Sequence, residues 1–435
     1  MLGTFGSIFK VEELRKRIFF TLALLVVYRI GGHIPTPGVD GALLSQAFSS
    51  DSIFGLFDMF AGGSFTKATI FALGIMPYIS ASIMMQLMGA VVPYLQRLQR
   101  EGEEGRRKIT QYTRYLTVAI SVLQAWGTAG FISTISINGV NAVHMDSSGF
   151  IPLTILTFTC GTIFVMWLGE KITEKGIGNG ISLIIFIGII ARFPEAVIGE
   201  VQKVLQGSRD FLPGLLILVM MIAVIMAVIL VTRAQRKVPV QYPRKVVGRK
   251  VYGGQSTHLP LSVNSAGVIP IIFAQSIMFL PATVAQLFPG SEWIQNLVSD
   301  LLAPGELYYN IIYGTIIVFF GYFYTAIVFN PIEIADNMRK NGGYIPGIRP
   351  GKNTAEHIEK ILTRITLPGA IFFAAIAILP WVLVAQFQAD FFFGGTGLLI
   401  VVGVALDTLQ QIESHLMMRH YEGFMKKGKI RGRSM

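Results

Sequence analysis

Ten apolar segments recur along the chain, and they restrict its possible folds more than any other feature. A helix needs ~20 apolar residues to cross the hydrocarbon core of a bilayer, where every backbone polar group must be bonded internally. The two short segments, 18–30 and 177–191, reach this length by borrowing flanking residues such as 28–32 and 172–180. The pattern predicts an all-α polytopic membrane protein with ten transmembrane helices, at 18–30, 71–92, 115–136, 151–169, 177–191, 211–232, 266–288, 307–329, 365–389 and 394–412.

The amino-acid composition also indicates a membrane protein. Hydrophobic residues make up 52% of the chain and charged residues 14%, against roughly 25% charged residues in an average soluble domain. Because Cys160 is the single cysteine, neither an intrachain disulfide nor a thiolate metal cluster can form. The first segment follows Lys10, Arg15, Lys16 and Arg17 and has no small-residue cleavage pattern after it. We therefore expect it to remain as an anchor.

Lysine and arginine are distributed unevenly between alternate connections. If the amino terminus faces the cytoplasm, 31 of the 36 basic residues lie on the cytoplasmic side. The remaining five would lie outside: Arg29, Lys67, Arg192, Lys203 and Arg209. Membrane proteins carry this excess of positive charge on their cytoplasmic connections. The bias supports the ten-span count and predicts that both termini are cytoplasmic.

The net charge of +11 has two interpretations, and both stay open. Topological retention and attraction to anionic lipids explain most of the basic residues. The connections 233–265 and 330–364, however, are longer and more basic than retention requires, so they could dock an acidic or nucleic-acid-bearing partner. Neither connection has an aromatic and basic pattern for reading bases, and a ribosome is the nucleic-acid partner that would fit.

Residues with catalytic or ion-carrying chemistry are scarce inside the apolar segments. All six histidines lie outside the segments, and the only charged residues within them are Arg29 and Asp407, near segment ends. Ion-coupled pumps keep charged groups in mid-membrane, and P-loop ATPases need a G-x-x-x-x-G-K-[ST] motif, which the sequence lacks. The glycines of 176–180 have no βαβ context and predict a tight turn between two helices. We expect no enzyme activity, no metal and no cofactor, and any uphill transport needs a partner's energy.

Two of the segments open with the same pattern, G-x-x-P-x-I, at residues 74–79 and 267–272. Spans five apart run in opposite directions, so a true repeat would make the two halves inverted repeats, which place a transport pathway at their interface. Pro77 and Pro270 remove backbone donors, which lipid tolerates only where helices or water satisfy the freed carbonyls. The second and seventh spans are therefore predicted to line the pathway.

Residues 51–74 are too apolar for a solvated connection and too short and glycine-broken to span a bilayer. Two structures fit this stretch. A re-entrant segment would be tucked into the protein, because irregular backbone at membrane depth must be shielded from lipid. The alternative is an interfacial helix with a phenylalanine-rich face.

Several longer motifs resemble the SecY family of bacterial protein translocation channels, in the order found in that family. They are Pro35-Thr36-Pro37-Gly38, FALGIMPYI at 71–79, EGEEGRR at 101–107, EKGIGNG at 174–180, GIRPG at 347–351 and MRHYE at 418–422. The resemblance implies two pseudo-symmetric inverted five-helix halves around a central pore. The implied division is 1–193 with spans 1–5, 194–265 with span 6 and a basic connection, and 266–435 with spans 7–10, the docking connection 330–364 and a cytoplasmic tail.

The same resemblance implies a protein-conducting channel subunit in the bacterial cytoplasmic (inner) membrane. Such a channel passes unfolded secretory proteins across the membrane and releases membrane proteins sideways into lipid. The implied partners are SecE-like and SecG-like small membrane subunits, a SecA-type motor ATPase, the ribosome, signal-peptide-bearing preproteins and anionic lipids. A secondary transporter of a small solute is the alternative function, since it also uses inverted repeats and needs no nucleotide.

The resemblance also assigns roles to individual residues by position. A pore ring of isoleucines would exclude water from the resting channel: Ile75, Ile79, Ile181, Ile185, Ile272 and Ile400. A plug at about 57–70 would include Phe57, Met59, Phe60, Gly62, Gly63 and Phe65. A lateral gate between the second and seventh spans would include Ser80, Gln86, Gln275 and Leu280.

Partner docking would centre on Arg249 and Arg349. The connection that contains Arg249 departs from the family at one point. Pro239 and Pro243 are unusual there, and we expect them to interrupt a paired strand within 236–244.

Overall fold

The computed structural model describes residues 11–47, 58–137, 140–207, 211–242, 245–247, 250–252, 256–264, 267–287, 306–387 and 395–427, with the single residues 291, 293, 296 and 298. Helices dominate this part of the chain, which separates into two compact units. The first unit comprises Met1–Glu195, Phe279–Val298 and Val404–Met435, and the second comprises Ala196–Met278 and Ser299–Gly403.

The first unit is built mainly from seven helices. They are α1 (Glu12–Gly31), α2 (Gly41–Ala47), α3 (Met76–Val91), α4 (Pro93–Arg100), α5 (Glu103–Thr134), α6 (Ser147–Lys175) and α7 (Gly180–Ile190). Strands β1 (Ser136–Ile137) and β2 (Val140–Asn141) pair antiparallel between α5 and α6. Ala125 and Ala129 of α5 and Phe158 of α6 are buried in one hydrophobic core, where the small side chains let the two helices approach closely.

A sharp bend separates α3 from α4. The two helices meet at an angle of 98° across Val92, and α4 begins with Pro93. Proline disfavours helical backbone in the residue before it, and Val92 accordingly has an extended ψ of 116°. Leu95 and Leu98 of α4 then pack against Met85 of α3. The predicted end of the second span at residue 92 is therefore set by this proline.

The second unit contains helices and two strand pairs. The helices lying within it are α9 (Phe211–Arg233), α11 (Leu307–Val328), α12 (Pro331–Lys340) and α13 (Lys352–Phe387). Three further helices run from one unit into the other: α8 (Phe193–Leu205), α10 (Ile269–Leu287) and α14 (Gly395–Lys427). The strands are β3 (Gln235–Gln241), β4 (Lys245–Val247), β5 (Lys250–Tyr252) and β6 (Ser256–Ser262), with β3 antiparallel to β6 and β4 to β5.

The two long basic connections share one hydrophobic core. Val238 and Val240 of β3 pack with Met338 of α12 and with Ile358 of α13. Gln241 also exchanges backbone hydrogen bonds with Tyr344, at 2.9 and 3.0 Å. The connections 233–265 and 330–364 therefore form a single body rather than two independent loops.

Each of the ten predicted segments overlaps a described helix. Helices α5, α6, α9, α11, α13 and α14 are long and apolar enough to cross a membrane by length and composition, and the bent pair α3–α4 would add a seventh. The short prediction 177–191 corresponds to the 11-residue helix α7, and 18–30 lies within the 20-residue helix α1. The count of ten spans stays a prediction.

The repeated pattern G-x-x-P-x-I adopts the same local structure at both of its positions. Gly74 and Gly267 have positive φ angles of 54° and 65°, and α3 and α10 begin two residues after them. Pro77 and Pro270 therefore lie in the first turn of a helix, where the backbone N–H has no intrahelical acceptor. Contrary to the expectation from sequence, these prolines free no carbonyl within a span, because they start the helices.

The strand pair β3–β6 runs through Pro239 without a break. Pro239 lies opposite His258 in a seven-residue register. Gln241, two residues later, makes its backbone hydrogen bonds with Tyr344 on the side of β3 that faces away from β6. Successive residues of an antiparallel strand point their N–H groups to opposite sides, so residues two apart face the same way. Pro239 therefore also faces away from β6 and removes no donor from the pair. The expected interruption at Pro239 is wrong, and Pro243 lies outside the described residues.

Candidate functional site

A buried segment of irregular structure, residues 58–75, lies between α2 and α3. Residues 58–61 form one helical turn, and a series of turns continues to residue 75. Met59, Phe60 and Phe65 expose only 4%, 2% and 2% of their surfaces. An interfacial helix would present this phenylalanine-rich face to the bilayer surface. The burial favours the predicted re-entrant segment over the interfacial alternative.

Glycines bring the re-entrant segment 58–75 into backbone contact with α7. Gly62 and Gly63 have φ angles of 68° and 88°, which side chains disfavour. A Cβ atom on Gly62 would lie 2.8 Å from the Cα atom of Gly188 in α7. A side chain at position 62 would therefore push the segment away from α7.

The far end of the re-entrant segment is held by backbone hydrogen bonds. Thr36 donates to the carbonyl of Ala68 at 2.9 Å, and Ile70 donates to the carbonyl of Ile34 at 3.0 Å. A Cβ atom on Gly161 of α6 would lie 2.0 Å from the carbonyl oxygen of Ile70. This end is thus fixed between the connection after α1 and the surface of α6.

Asp58 organises the re-entrant segment from within. Its carboxylate is fully buried and accepts hydrogen bonds from the backbone N–H groups of Phe65 and Thr66, both at 2.9 Å. The Thr66 hydroxyl donates a third bond at 3.0 Å. Sequence reasoning gave Asp58 no role, although an acidic residue inside an apolar, glycine-rich run was the available signal.

The predicted ring isoleucines are divided between the two units. Four belong to the first unit and two to the second, in the order Ile75, Ile79, Ile181, Ile185 and then Ile272, Ile400. Five of them expose 0 to 6% of their surfaces, and Ile181 is half-buried. Leu230 of α9, by contrast, exposes 72%. The five buried isoleucines do not face lipid, and their convergence into a ring stays a prediction.

The predicted gate residues lie on α3 and α10. Ser80 and Gln275 are buried, whereas Gln86 and Leu280 are half-buried. Gln86 donates from Nε2 to the hydroxyl of Ser82, one turn earlier in α3, at 3.3 Å. Their role as a lateral gate stays a prediction.

The re-entrant segment also contacts α10. The ring of Phe60 meets the ring of Phe279 edge-on, with centroids 6.0 Å apart and planes at 84°. Phe279 directly precedes the predicted gate residue Leu280. A predicted plug residue and a predicted gate helix are therefore in contact within the first unit.

Arg349 lies on an exposed turn between α12 and α13. Ile345 is buried in the core shared with β3, and Ile348 packs against that core. Gly347 and Gly351 have φ angles of 81° and 105°, which allow the tight turn on both sides of Arg349. The turn is anchored by its isoleucines while Arg349 is exposed.

Two predicted site residues lie outside the described part of the chain: Phe57 and Arg249.

The glycine-rich run 176–180 forms the predicted tight connection between α6 and α7. Two of its backbone N–H groups bond side chains from distant helices. Ile177 donates to the hydroxyl of Thr21 at 3.1 Å, and Gly178 donates to the side-chain carbonyl of Gln411 at 3.0 Å. The turn therefore ties α1 and α14 together, a role that sequence reasoning missed because the partners are far apart in the chain.

Within the described ranges, no group of three or more His, Cys, Asp or Glu side chains could hold a metal ion. The side chains of the re-entrant segment are mainly apolar, and its buried carboxylate is engaged in hydrogen bonds. The arrangement is a mainly apolar segment held by hydrogen bonds and close backbone contacts.

The chain is similar over nearly its whole length to curated proteins. The sequence model of the SecY family matches residues 69–409. The protein translocase subunit SecY of Aquifex aeolicus (strain VF5) is 46% identical over 426 residues, covering 97% of this chain and 99% of the relative. The protein translocase subunit SecY of Streptomyces scabiei is 48% identical over 444 residues, covering 98% of this chain and 100% of the relative.

Solved structures share the fold. A protein conducting channel aligns with a TM-score of 0.66 at 18% identity, covering 92% of this chain and 91% of the other. A SecY structure aligns with a TM-score of 0.64 at 18% identity, with the same coverage of both chains. Its plug domain is described as stabilising the closed state and maintaining a membrane seal. Sec61 in the canine ribosome-channel complex from the endoplasmic reticulum aligns with a TM-score of 0.63 at 17% identity, covering 92% of this chain and 91% of Sec61. The predicted fold class is confirmed.

Proposed function

The chain belongs to the SecY family, and we infer that it is the channel-forming subunit of a bacterial protein translocase. It conducts unfolded secretory proteins across the membrane and releases membrane proteins sideways into lipid. The curated relatives that match nearly the whole chain are translocase subunits, and this displaces the alternative of a small-solute transporter.

The buried re-entrant segment is the observation that carries this function in the structure. A pore wide enough for a polypeptide would dissipate ion gradients, so the resting channel needs a removable barrier. Residues 58–75 are mainly apolar, largely buried and held by hydrogen bonds and tight backbone contacts. We propose that residues 57–70 are the plug. The related SecY whose plug domain maintains a membrane seal supports this assignment.

The pore ring and the lateral gate belong to the same proposal. Branched apolar side chains around a narrow passage exclude water, yet they yield to a passing chain because no bond must break. The burial of five ring isoleucines supports this role. Lateral release would separate α3 from α10 at the four gate residues, Ser80, Gln86, Gln275 and Leu280.

Partners would brace the channel and supply its energy. We propose SecE-like and SecG-like subunits, a SecA-type ATPase, the ribosome, signal-peptide-bearing preproteins and anionic lipids. The relative in a ribosome-channel complex supports the ribosome, and the missing nucleotide motif supports an external motor. Docking would use the exposed Arg349 together with Arg249. The chain itself would act as a conduit rather than as an enzyme.

The chain is a multi-pass membrane protein, as its long apolar helices indicate. We propose that it lies in the bacterial cytoplasmic (inner) membrane with both termini in the cytoplasm. The strong excess of Lys and Arg on one set of connections supports this orientation.

Translocation into sealed vesicles tests the proposed function. The chain is reconstituted with its SecE-like and SecG-like subunits, and SecA-type ATPase, ATP and a signal-peptide-bearing preprotein are added. We expect the preprotein to become protected from added protease only in vesicles that contain the chain. A preprotein that stays fully digestible in the complete system would refute the channel function.

A further inference from the structure

Two basic residues on the outer side reach the re-entrant segment. Arg192, directly after α7, forms an ion pair with Asp58. Arg29, in the last turn of α1, donates from Nη1 to the carbonyl oxygen of Gly62 at 3.0 Å. Both belong to the few basic residues that the charge distribution places outside. Retention of positive charge in the cytoplasm cannot explain them, whereas a local contact can.

Burial makes the ion pair asymmetric. The Asp58 side chain exposes 0% of its surface and the Arg192 side chain 39%. Removing a carboxylate from water is costly unless it is both hydrogen-bonded and paired with a positive charge. Phe65 and Thr66 supply the hydrogen bonds from within the segment, and Arg192 supplies the charge from a different element. The charge of Asp58 is therefore compensated by Arg192 while the segment lies against α7.

The ion pair forms where the two backbones already touch. A Cβ atom on Gly63 would lie 3.5 Å from Nε and 3.7 Å from Nη2 of Arg192, so the guanidinium covers this glycine. The neighbouring Gly62 lies against Gly188 of α7. Any movement of the segment away from α7 must therefore separate Asp58 from Arg192.

The contacts at the boundary of the segment differ in what their loss costs. Tyr28 donates from its hydroxyl to the carbonyl of Ala61 at 3.4 Å, and Arg29 donates to the carbonyl of Gly62. Both acceptors are neutral carbonyls in buried or partly buried surroundings, so losing these bonds costs less than losing the partner of a charged group. Asp58, by contrast, is a fully buried carboxylate that would be left without its countercharge. The ion pair is thus the boundary contact that most strongly favours the closed position.

We propose that Asp58 and Arg192 form a latch that holds the plug closed, and that the channel opens by breaking this ion pair. The inference rests on the proposed channel function and assigns the residues that set its resting state. Phe60, two residues after Asp58, contacts Phe279 of α10. Movement of α10 during lateral opening therefore pulls directly on the helical turn that carries Asp58.

Resting conductance tests the latch. The reconstituted complex is placed in planar bilayers without preprotein, and the open probability is recorded for Asp58→Asn, for Arg192→Gln and for the double variant. We expect each single variant to raise the resting open probability at least about tenfold, which corresponds to about 1.4 kcal/mol. The double variant should open no more often than the more open single variant, because both changes break the same contact. Lys67→Gln, which neutralises an exposed charge on the same segment, should leave the channel as tight as the parent.

Two results would overturn the latch. Single variants as tight as the parent would do so, and so would a double variant whose increase is the product of the two single increases. If Asp58→Asn does not accumulate, Arg192→Gln decides alone, because it leaves the three hydrogen bonds of Asp58 within the segment intact.

Preprotein translocation by the same preparations separates the latch from the channel function. Variants with normal translocation and unchanged resting conductance would refute the latch and leave the channel function standing. A parent complex that fails to translocate would remove the channel function and the latch with it.

Discussion

At the scale of single residues, isoleucine suits the proposed pore ring because it seals a passage without binding what passes. Water in a short apolar constriction loses hydrogen bonds that the walls cannot restore, and an ion must also shed hydration. Five of the six ring positions are shielded, with exposures of 0 to 6%. Some isoleucines elsewhere on the spans are buried as well, such as Ile317 at 1%, whereas others expose about half of their surfaces, for example Ile222 at 49% and Ile311 at 57%.

This contrast gives a test with a matched control. The ring variant replaces four isoleucines by serine: Ile79, Ile185, Ile272 and Ile400. Serine widens the constriction and offers water a hydroxyl, so we expect measurable resting ion conductance in planar bilayers, larger still when residues 57–70 are deleted. The control replaces four exposed isoleucines by serine: Ile222, Ile311, Ile327 and Ile371. It should cost insertion or stability without opening a conductance, and a ring variant as tight as the parent would refute the ring.

Arg349 provides a second test at this scale. Its side chain is exposed on an anchored turn, so Arg349→Glu should change the free energy of unfolding by no more than ~0.5 kcal/mol. Reversing a charge at a docking surface should nevertheless lower ATPase-driven translocation at least about tenfold. Lys340→Glu, at an exposed position of the same connection, is the matched control and should retain most activity. Equal translocation by both variants and the parent would contradict docking through Arg349.

At the scale of elements, strand β3 shows how a proline can be accommodated in a paired strand. Pro239 is exposed and its nitrogen faces away from β6, whereas its neighbour Val238 exposes only 3% and faces the shared core. The hydrogen-bonding side of each residue follows from the register, and the register depends on the partner strand. Sequence alone places a proline in a strand without showing which way it faces.

Substitutions at the neighbouring positions 238 and 239 should have opposite effects on the strand pair. Pro239→Val should leave the connection 233–265 intact, because no donor is missing there. Val238→Pro removes a ladder donor, worth about 1 kcal/mol, and displaces a buried side chain worth ~1.5–3 kcal/mol. Limited proteolysis of the purified complex should show at least about tenfold faster cleavage in this connection for Val238→Pro alone. Equal cleavage of the two variants would refute the register.

The gate helices α3 and α10 give a further prediction at this scale. Cysteines at Ser80 and Leu280, with Cys160→Ser, should form a disulfide if the two positions face each other across the proposed gate. The crosslink should block preprotein translocation, and reduction should restore it, because lateral opening requires α3 and α10 to separate. Cysteines at Ser80 and Trp293, which exposes 73% of its surface beyond α10, serve as the control pair. Absence of the crosslink, or a crosslink without effect on transport, would argue against this gate.

Element positions could be predicted from the sequence to different degrees. Helix α9 follows from apolar length alone, and Pro93 marks the end of the span before it, whereas the polar first turns of α5 precede the predicted span 115–136. The starts of α3 and α10 do not follow from apolar length, because Pro77 and Pro270 lie in the first turn of each helix and not within a longer span. The ties from Thr21 and Gln411 to the turn 176–180 could not be predicted, because they join positions 156 and 233 residues apart.

At the scale of the whole molecule, the distribution of basic residues serves two purposes. Most of them lie on one set of connections, a distribution that orients membrane proteins during insertion in general. Arg29 and Arg192, on the opposite set, bind the re-entrant segment instead. The sequence yields a prediction of the side on which these two residues lie, but not of their contacts, because the Asp58–Arg192 contact spans 134 positions.

The orientation itself is open to direct test through accessible positions on opposite sides. Lys352 begins α13 and Asn141 ends β2, and both side chains are exposed. Single cysteines are placed at these positions in a Cys160→Ser background, so that the native thiol cannot contribute to the labelling. A membrane-impermeant thiol reagent is then applied to sealed vesicles of each orientation. We expect Lys352→Cys to be labelled only from the cytoplasmic side, since an even number of spans separates its connection from the amino terminus in the ten-span topology. Asn141→Cys, an odd number of spans away, should be labelled only from outside. Labelling of either position from the opposite side would overturn the topology, and with it the assignment of Arg29 and Arg192 to the outer face.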